Sequence, residues 1–252
     1  MNSIIIFVFG LTIGSFLNVL IQRLPKSQSI LGRSKCPNCK TKLNWQDLLP
    51  VFSFLFLAGK CRHCSEKINI SYPLVELLTA FLFLAVFNGG LGYFVFFIVS
   101  ILLVLAFADI KFFILPDKII FSGFFATLLF LVINIFYKGT GVCALSNCNL
   151  KAVLFGAGFL GGLFLFLYLV SSGRWIGFGD VKLGFFLGFF SGFYWSLNIF
   201  YLAVIAGAAV SVFSLTFGAN LKTKLPLGAF LSLSAIAVIL AKLDFIGIIL
   251  RF

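Results

Sequence analysis

The chain has 252 residues, 62% of them hydrophobic and 10% charged, and a net charge of +12. Apolar runs near the ~20-residue length that crosses a bilayer follow one another from residue 3 to residue 250, which excludes a water-soluble domain. Runs such as FFIVSILLVLAF at 96–107 do not alternate apolar with polar residues, so a membrane β-barrel is excluded as well.

The fold class is therefore an all-α polytopic membrane protein. About eight transmembrane helices are predicted, over roughly 3–21, 73–87, 93–109, 119–136, 152–170, 181–194, 198–217 and 227–248. The first run lacks a basic flank before it and a small-residue cleavage site after it, so it is read as a span rather than a signal peptide. The expected organisation is a first span over 1–22, a cytoplasmic loop over 23–72 and a seven-helix membrane core over 73–252. Basic residues orient it, because they stay on the cytoplasmic side. With the 23–72 loop inside, fifteen Lys and Arg fall on that side and four on the other, leaving both termini outside. The positive charge follows from this topology and from attraction to anionic lipid, and nucleic acid is not an expected partner.

The first loop holds Cys36 and Cys39 in CPNC and Cys61 and Cys64 in CRHC, two pairs separated by 21 residues. Each pair offers two thiolates from one tight turn, and two such knuckles close a tetrahedral zinc site. Four thiolates leave no open coordination position, so the expected Zn2+ is structural and staples a loop too short for its own core. Free thiols or redox pairs are the competing reading, disfavoured in a reducing cytosol. His63, inside the second knuckle, is the chain's one histidine, which removes histidine-dependent hydrolases and HExxH zinc proteases. Cys143 and Cys148 share an outside loop, where a disulfide and two free thiols are both open.

Seven acids remain to be explained. Asp47 and Glu66 belong to the polar loop, and solvent exposure accounts for Asp244 near the outer end of the last helix. Glu76, Asp109, Asp117 and Asp180 fall near helix ends on the cytoplasmic side, where acids beside spans are functional candidates. Asp109 closes the third span in VLAFADIKFFILPD, and Asp180 opens the sixth in GFGDVKLGFF. Two crossings separate them, so both lie at a similar depth on one face. Neighbouring carboxylates that share one proton can activate water while polarising a scissile carbonyl, as in aspartic proteases. The alternative is that they pair with Lys111 and Lys182, each two residues away, or cap a helix. Gly177 and Gly179 favour the dyad, because they clear room for a substrate backbone beside the acid. Asp117, one turn beyond the span, is the rival first carboxylate, but water and Lys118 would satisfy it.

These motifs, in order, resemble those of the type IV prepilin peptidases, bifunctional leader peptidases and N-methyltransferases of bacterial pilus and type II secretion systems. The resemblance rests on GLTIGSFLNVLIQRLP, CPNC, LNWQDLLPVFSFL, CRHC, SYPLVE, ADIKFFILPD, GFGDVKLG and LPLGAF. GFGD is also similar to the GxGD pattern of presenilin-type aspartic proteases. The resemblance implies catalytic roles for Asp109 and Asp180 and metal ligation by Cys36, Cys39, Cys61 and Cys64; Gly177, Gly179, Lys111 and Lys182 are expected beside them as substrate or active-site support. It implies cleavage of a prepilin or pseudopilin leader at the cytoplasmic face of the bacterial inner membrane. It further implies methylation of the new amine with S-adenosylmethionine, for which Glu76 is the candidate residue; pairing of Glu76 with a basic neighbour is the alternative.

A second class fits the same residues. In a cation-coupled transporter, Asp109 and Asp180 would bind or relay the cation and the cysteine loop would sense a metal.

Overall fold

The computed structural model describes residues 3–88, 92–137, 150–217 and 225–242. Cys143, Cys148 and Asp244 lie outside the described residues. The elements are α1 (Ser3–Arg23), a 3-10 turn (Trp45–Leu48), α2 (Phe52–Phe56), α3 (Ser71–Asn88), α4 (Tyr93–Phe112), α5 (Asp117–Tyr137), α6 (Leu150–Val170), α7 (Phe178–Ser191), α8 (Phe193–Thr216) and α9 (Leu227–Ala241). Among the described residues no strand forms beyond two isolated β-bridges in the first loop. Six helices, α1, α3, α4, α5, α6 and α8, are long and apolar enough to cross a membrane. This is a multi-pass, all-helical chain.

The chain divides into two compact units, Met1–Gly90 and Leu91–Phe252. In the first, α1 and α3 pack antiparallel. Glycines set their distance: a Cβ on Gly10 would lie 2.6 Å from Ala80 Cα, and one on Gly14 2.6 Å from Glu76 Cα. Such small-residue contacts bring helix backbones together where lipid supplies no hydrophobic drive. Further along the same seam Asn18 Nδ2 donates to the Tyr72 carbonyl at 3.0 Å and the Gln22 amide donates to the Tyr72 hydroxyl. Polar side chains between the helices thus find partners instead of facing lipid.

In the second unit α4 is the central helix, 72% buried over its span window against 11% for α8. It packs on α9 and α5, while α6 packs on α7 and α8. The α6–α7 contact is backbone to backbone: a Cβ on Gly188 would fall 2.2 Å from the Gly156 carbonyl oxygen, and one on Gly156 2.5 Å from that of Gly188. Phe185 and Phe164 fill the places cleared by Gly161 and Gly184. This close seam fixes where α7 begins.

Several boundaries differ from expectation, α8 starting at Phe193 and not 198 and α7 at Phe178 and not 181, and two of the differences bear on the site. The sixth span, expected to run to residue 194, stops at Ser191, because Gly192 adopts φ 74°, ψ 173°, a conformation essentially reserved for glycine. Gly192 both ends α7 and starts α8, so no loop separates them. The third span continues past Asp109 to Phe112 and ends on Phe113 in the left-handed region (φ 53°), whose N–H donates to the Asp109 carbonyl at 2.9 Å. Asp109 is therefore one turn inside its helix. At 14 residues α7 is not of spanning length, and neither is α9 at 15.

Candidate active site and metal centre

Asp109 sits on the most buried helix of the second unit and is itself 6% exposed. Its Oδ2 accepts the Ala229 N–H at 2.9 Å. That amide is in the first turn of α9, where backbone N–H groups have no partner within the helix and are free to meet an acid. Gly228 makes the approach possible, since a Cβ there would stand 2.8 Å from Leu115 Cδ1 and 3.1 Å from Asp109 Oδ2. Leu115 in turn touches the Gly179 side of α7, 3.3 Å from a Cβ built there. Gly179 therefore makes room for Leu115, a packing role rather than the open approach expected of it.

Asp180 is the third residue of α7. Its Oδ2 accepts the Gly177 N–H at 3.3 Å, the backward half of a capping box. Gly177 itself has an ordinary extended backbone, φ −75° and ψ 150°, so a left-handed conformation is not what requires glycine. A Cβ there would meet only the Asp180 carboxylate, at 3.5 Å, and Gly179 N. The open space beside the acid lies at Gly177. Burial first, and the Asp109 charge second, push the Asp180 carboxyl up to about 6, with the Gly177 N–H opposing them. The two aspartates, 71 positions apart in sequence, thus act on one another electrostatically.

The rival acid is elsewhere engaged. Asp117 is the first residue of α5, and both its oxygens lie 2.8 Å from Lys182 Nζ. Its partner is Lys182, not Lys118 as expected. That ammonium also stands 5.0 Å from the Phe178 ring centroid, so Lys182 is turned toward α5 and its aromatic neighbours. Lys111 lies in the last turn of α4.

In the first unit the four cysteine sulfurs lie within 4.8 Å of one another, and Cys36 and Cys64 Sγ are 3.8 Å apart. Tetrahedral Zn–S bonds of about 2.3 Å require sulfurs about 3.8 Å apart, so the donor set fits zinc. The two knuckles repeat one design. Bridges Lys35–Lys42 and Lys60–Lys67 flank them, and each closes through a left-handed residue, Lys40 (φ 58°) and Ser65 (φ 57°). Lys40 N–H donates to Cys36 O and Ser65 N–H to Cys61 O, both at 3.0 Å. His63 is exposed, and four sulfurs complete the cluster without it.

Glu76 does not meet a basic residue. Its Oε2 accepts the Val51 N–H at 2.8 Å, and the Ser15 hydroxyl bonds the same side chain. Val51 has φ 61°, ψ −47°, and the Phe52 N–H reaches back to Pro50 O at 2.6 Å. This is a γ-turn of the rare positive-φ kind on a β-branched residue, a strain of order 1–3 kcal/mol that needs an anchor. Asp47, whose side chain is 4% exposed, pairs with Arg62 Nε at 2.9 Å and accepts the Asn44 N–H at 3.1 Å.

Residues 8–89 match the Bacterial Peptidase A24 N-terminal domain, and residues 96–212 match the Type IV leader peptidase family. A prepilin leader peptidase/N-methyltransferase of Bacillus subtilis is 36% identical over 81% of this chain and 79% of its own length. The protein of that name from Pectobacterium carotovorum is 32% identical over 81% and 80%. One from Myxococcus xanthus is 43% identical over 49% of this chain and 38% of its own length. The chain belongs to the type IV leader peptidase family. No solved structure matches it.

Three contributors to the Asp109 surroundings in this leader peptidase, Leu115, Gly228 and Ala229, are not expected from the sequence. The signal for Gly228 was the LPLGAF stretch, where proline and glycine open an apolar helix. Ala229 acts through its backbone, which no side-chain motif reveals.

Proposed function

We propose that this family member is an aspartic endopeptidase in which Asp109 and Asp180 form the catalytic pair. One carboxylate takes a proton from water while the other, protonated, polarises the scissile carbonyl and then protonates the departing amine. The observation that carries this reading is that buried Asp109 on α4 and partly buried Asp180 on α7 flank the same residue, Leu115, which packs at Gly228 beside one and Gly179 beside the other, close enough for the Asp109 charge to act on Asp180. The Ala229 and Gly228 amides hold the Asp109 carboxylate and the Gly177 amide holds one oxygen of Asp180, which orients the two acids. Gly177 keeps a side chain away from this approach, Gly179 supports it by making room for Leu115, and Lys182 by holding α7 to Asp117.

The substrate class is a prepilin or pseudopilin, whose basic leader precedes an apolar helix. Cleavage takes place at the cytoplasmic face of the bacterial inner membrane, the side that the basic loops assign to both the aspartates and the cysteine cluster. The cluster holds a structural Zn2+ through Cys36, Cys39, Cys61 and Cys64. Methylation of the new amine, with S-adenosylmethionine as donor, is supported by the bifunctional names of the relatives. Among the described residues there is no strand followed by a glycine-rich turn, so a dinucleotide-type cradle is not available to that cofactor. Glu76 enters this second activity by anchoring the loop to α3.

The test is incubation of detergent-purified protein with a prepilin, followed by mass spectrometry of the leader. Asp109→Asn and Asp180→Asn should each abolish cleavage, and cleavage that survives both rules the pair out. With S-adenosylmethionine present, the wild-type product should gain the mass of one methyl group.

A further inference from the structure

The segment between the two knuckles, WQDLLPVFSFLFL at 45–57, is apolar in the middle of a basic loop. It does not cover its own side chains. Trp45, Phe52, Leu55 and Phe56 are 72, 54, 66 and 84% exposed. A contiguous apolar surface of this kind is covered in the working protein.

What covers it follows from depth. Glu76 is the sixth residue of α3, about 7–8 Å along the axis from Ser71 at 1.5 Å per residue, and its α1 neighbour Gly14 lies about 13–14 Å from Arg23. The 18 residues of α3 measure about 27 Å, barely the ~30 Å of a hydrocarbon core, so its first turns have no length to spare above the lipid. The Val51 N–H is bonded to Glu76, and this pins the start of α2 at that level. The strained turn at Val51 then starts α2, Phe52–Phe56, none of whose residues is buried.

We propose that residues 45–57 form a lipid-embedded wedge. The 3-10 turn and α2 lie in the headgroup–acyl boundary of the leaflet on the loop's side, with anionic phospholipid as their partner. Three observations support that partner. The loop over 24–70 carries eight basic residues against two acids, a charge that complements acidic headgroups. Trp45 belongs at the interface, where an indole keeps one edge wet. The Glu76 bond satisfies the Val51 amide, which would otherwise be stranded near hydrocarbon.

Tryptophan fluorescence of the full chain in nanodiscs tests this. Trp175→Phe with Trp195→Phe leaves Trp45 as the reporter; adding Trp45→Phe and Phe56→Trp moves the reporter onto α2. Acyl-brominated lipid should quench both reporters, and aqueous acrylamide should quench Phe56→Trp several-fold less than free indole. Quenching should strengthen in discs containing phosphatidylglycerol over phosphatidylcholine alone. Glu76→Ala should weaken lipid quenching of the Phe56→Trp reporter while metal bound per chain stays unchanged, which shows the knuckles still fold. A Phe56→Trp reporter open to acrylamide and untouched by brominated lipid overturns the proposal. So does one that becomes shielded only when a prepilin is added, which would make this a substrate surface. Equal quenching in the two lipid compositions overturns the anionic preference.

Discussion

Lys182 Nζ lies 2.8 Å from each carboxylate oxygen of Asp117, so the lysine two residues past Asp180 neutralises a different acid. This pair joins the start of α5 to the second turn of α7. It leaves Asp180 under the like charge of Asp109, the condition in which two carboxylates share a proton.

The pair is partly exposed, with the side chains of Lys182 and Asp117 at 25 and 54%, so its direct worth to stability is at most about 1 kcal/mol. Asp117→Asn and Lys182→Gln should hardly move thermal unfolding. Each should slow leader cleavage by roughly tenfold, the rate equivalent of about 1.4 kcal/mol, through misplacement of α7. The exchanged pair, Asp117→Lys with Lys182→Asp, should recover part of the rate. Complete loss in Asp117→Asn together with activity in Asp109→Asn would transfer the first catalytic role to Asp117.

The raised Asp180 carboxyl sets a pH dependence. Because the folded state holds this proton up to about 6 and an ordinary aspartate releases it near 3.8, the folded state binds more protons between these values, and stability falls as pH rises through them. The penalty is absent below the lower value and complete above the upper one. Asp180→Asn should therefore raise the melting temperature at pH 8 and leave it nearly unchanged at pH 3.5, as read by thermal unfolding in detergent. Wild-type cleavage should decline as pH rises above about 6, where the shared proton is lost.

Glycine positions in α6 and α7 are unequal. Gly188→Ala places a methyl against the Gly156 backbone, which cannot yield, and should cost about 1–3 kcal/mol. At Gly162 a Cβ meets nothing within 4 Å, and Gly162→Ala should be neutral or stabilising, because alanine favours the helix by up to about 1 kcal/mol. Chemical or thermal unfolding of the two variants side by side gives the comparison.

A similar contrast holds at the acids. Gly228→Ala crowds Leu115 and the Asp109 oxygen, and should lower both the melting temperature and cleavage; Gly177→Ala, with 3.5 Å to the Asp180 carboxylate, should leave the melting temperature unchanged and still reduce cleavage, because its methyl enters the space kept for substrate. Leader release and thermal unfolding measured on the same protein separate the two.

For the sulfur cluster, Cys36→Ser or Cys61→Ser should lower bound zinc, measured by elemental analysis, while Cys143→Ser leaves it unchanged. Absence of zinc in well-folded wild type would count against a metal there.

Much of this protein was legible because its signals are local. Apolar runs of spanning length, paired CxxC turns and acids beside glycine report their chemistry within a few residues, whatever the rest of the chain does. The sequence by itself thus determined an all-helical membrane chain, the cysteine cluster and the identity of the two candidate acids. Which groups meet depended on packing. Asp109 is held by an amide 120 residues away, Lys182 pairs with an acid 65 residues away, and Glu76 is bound to a strained Val51. A backbone amide looks the same at every position, and an ion pair forms with whichever partner the helices bring near. Only the tertiary structure could choose among them, because close seams such as Gly156 against Gly188 set the helix positions to within an atom's width.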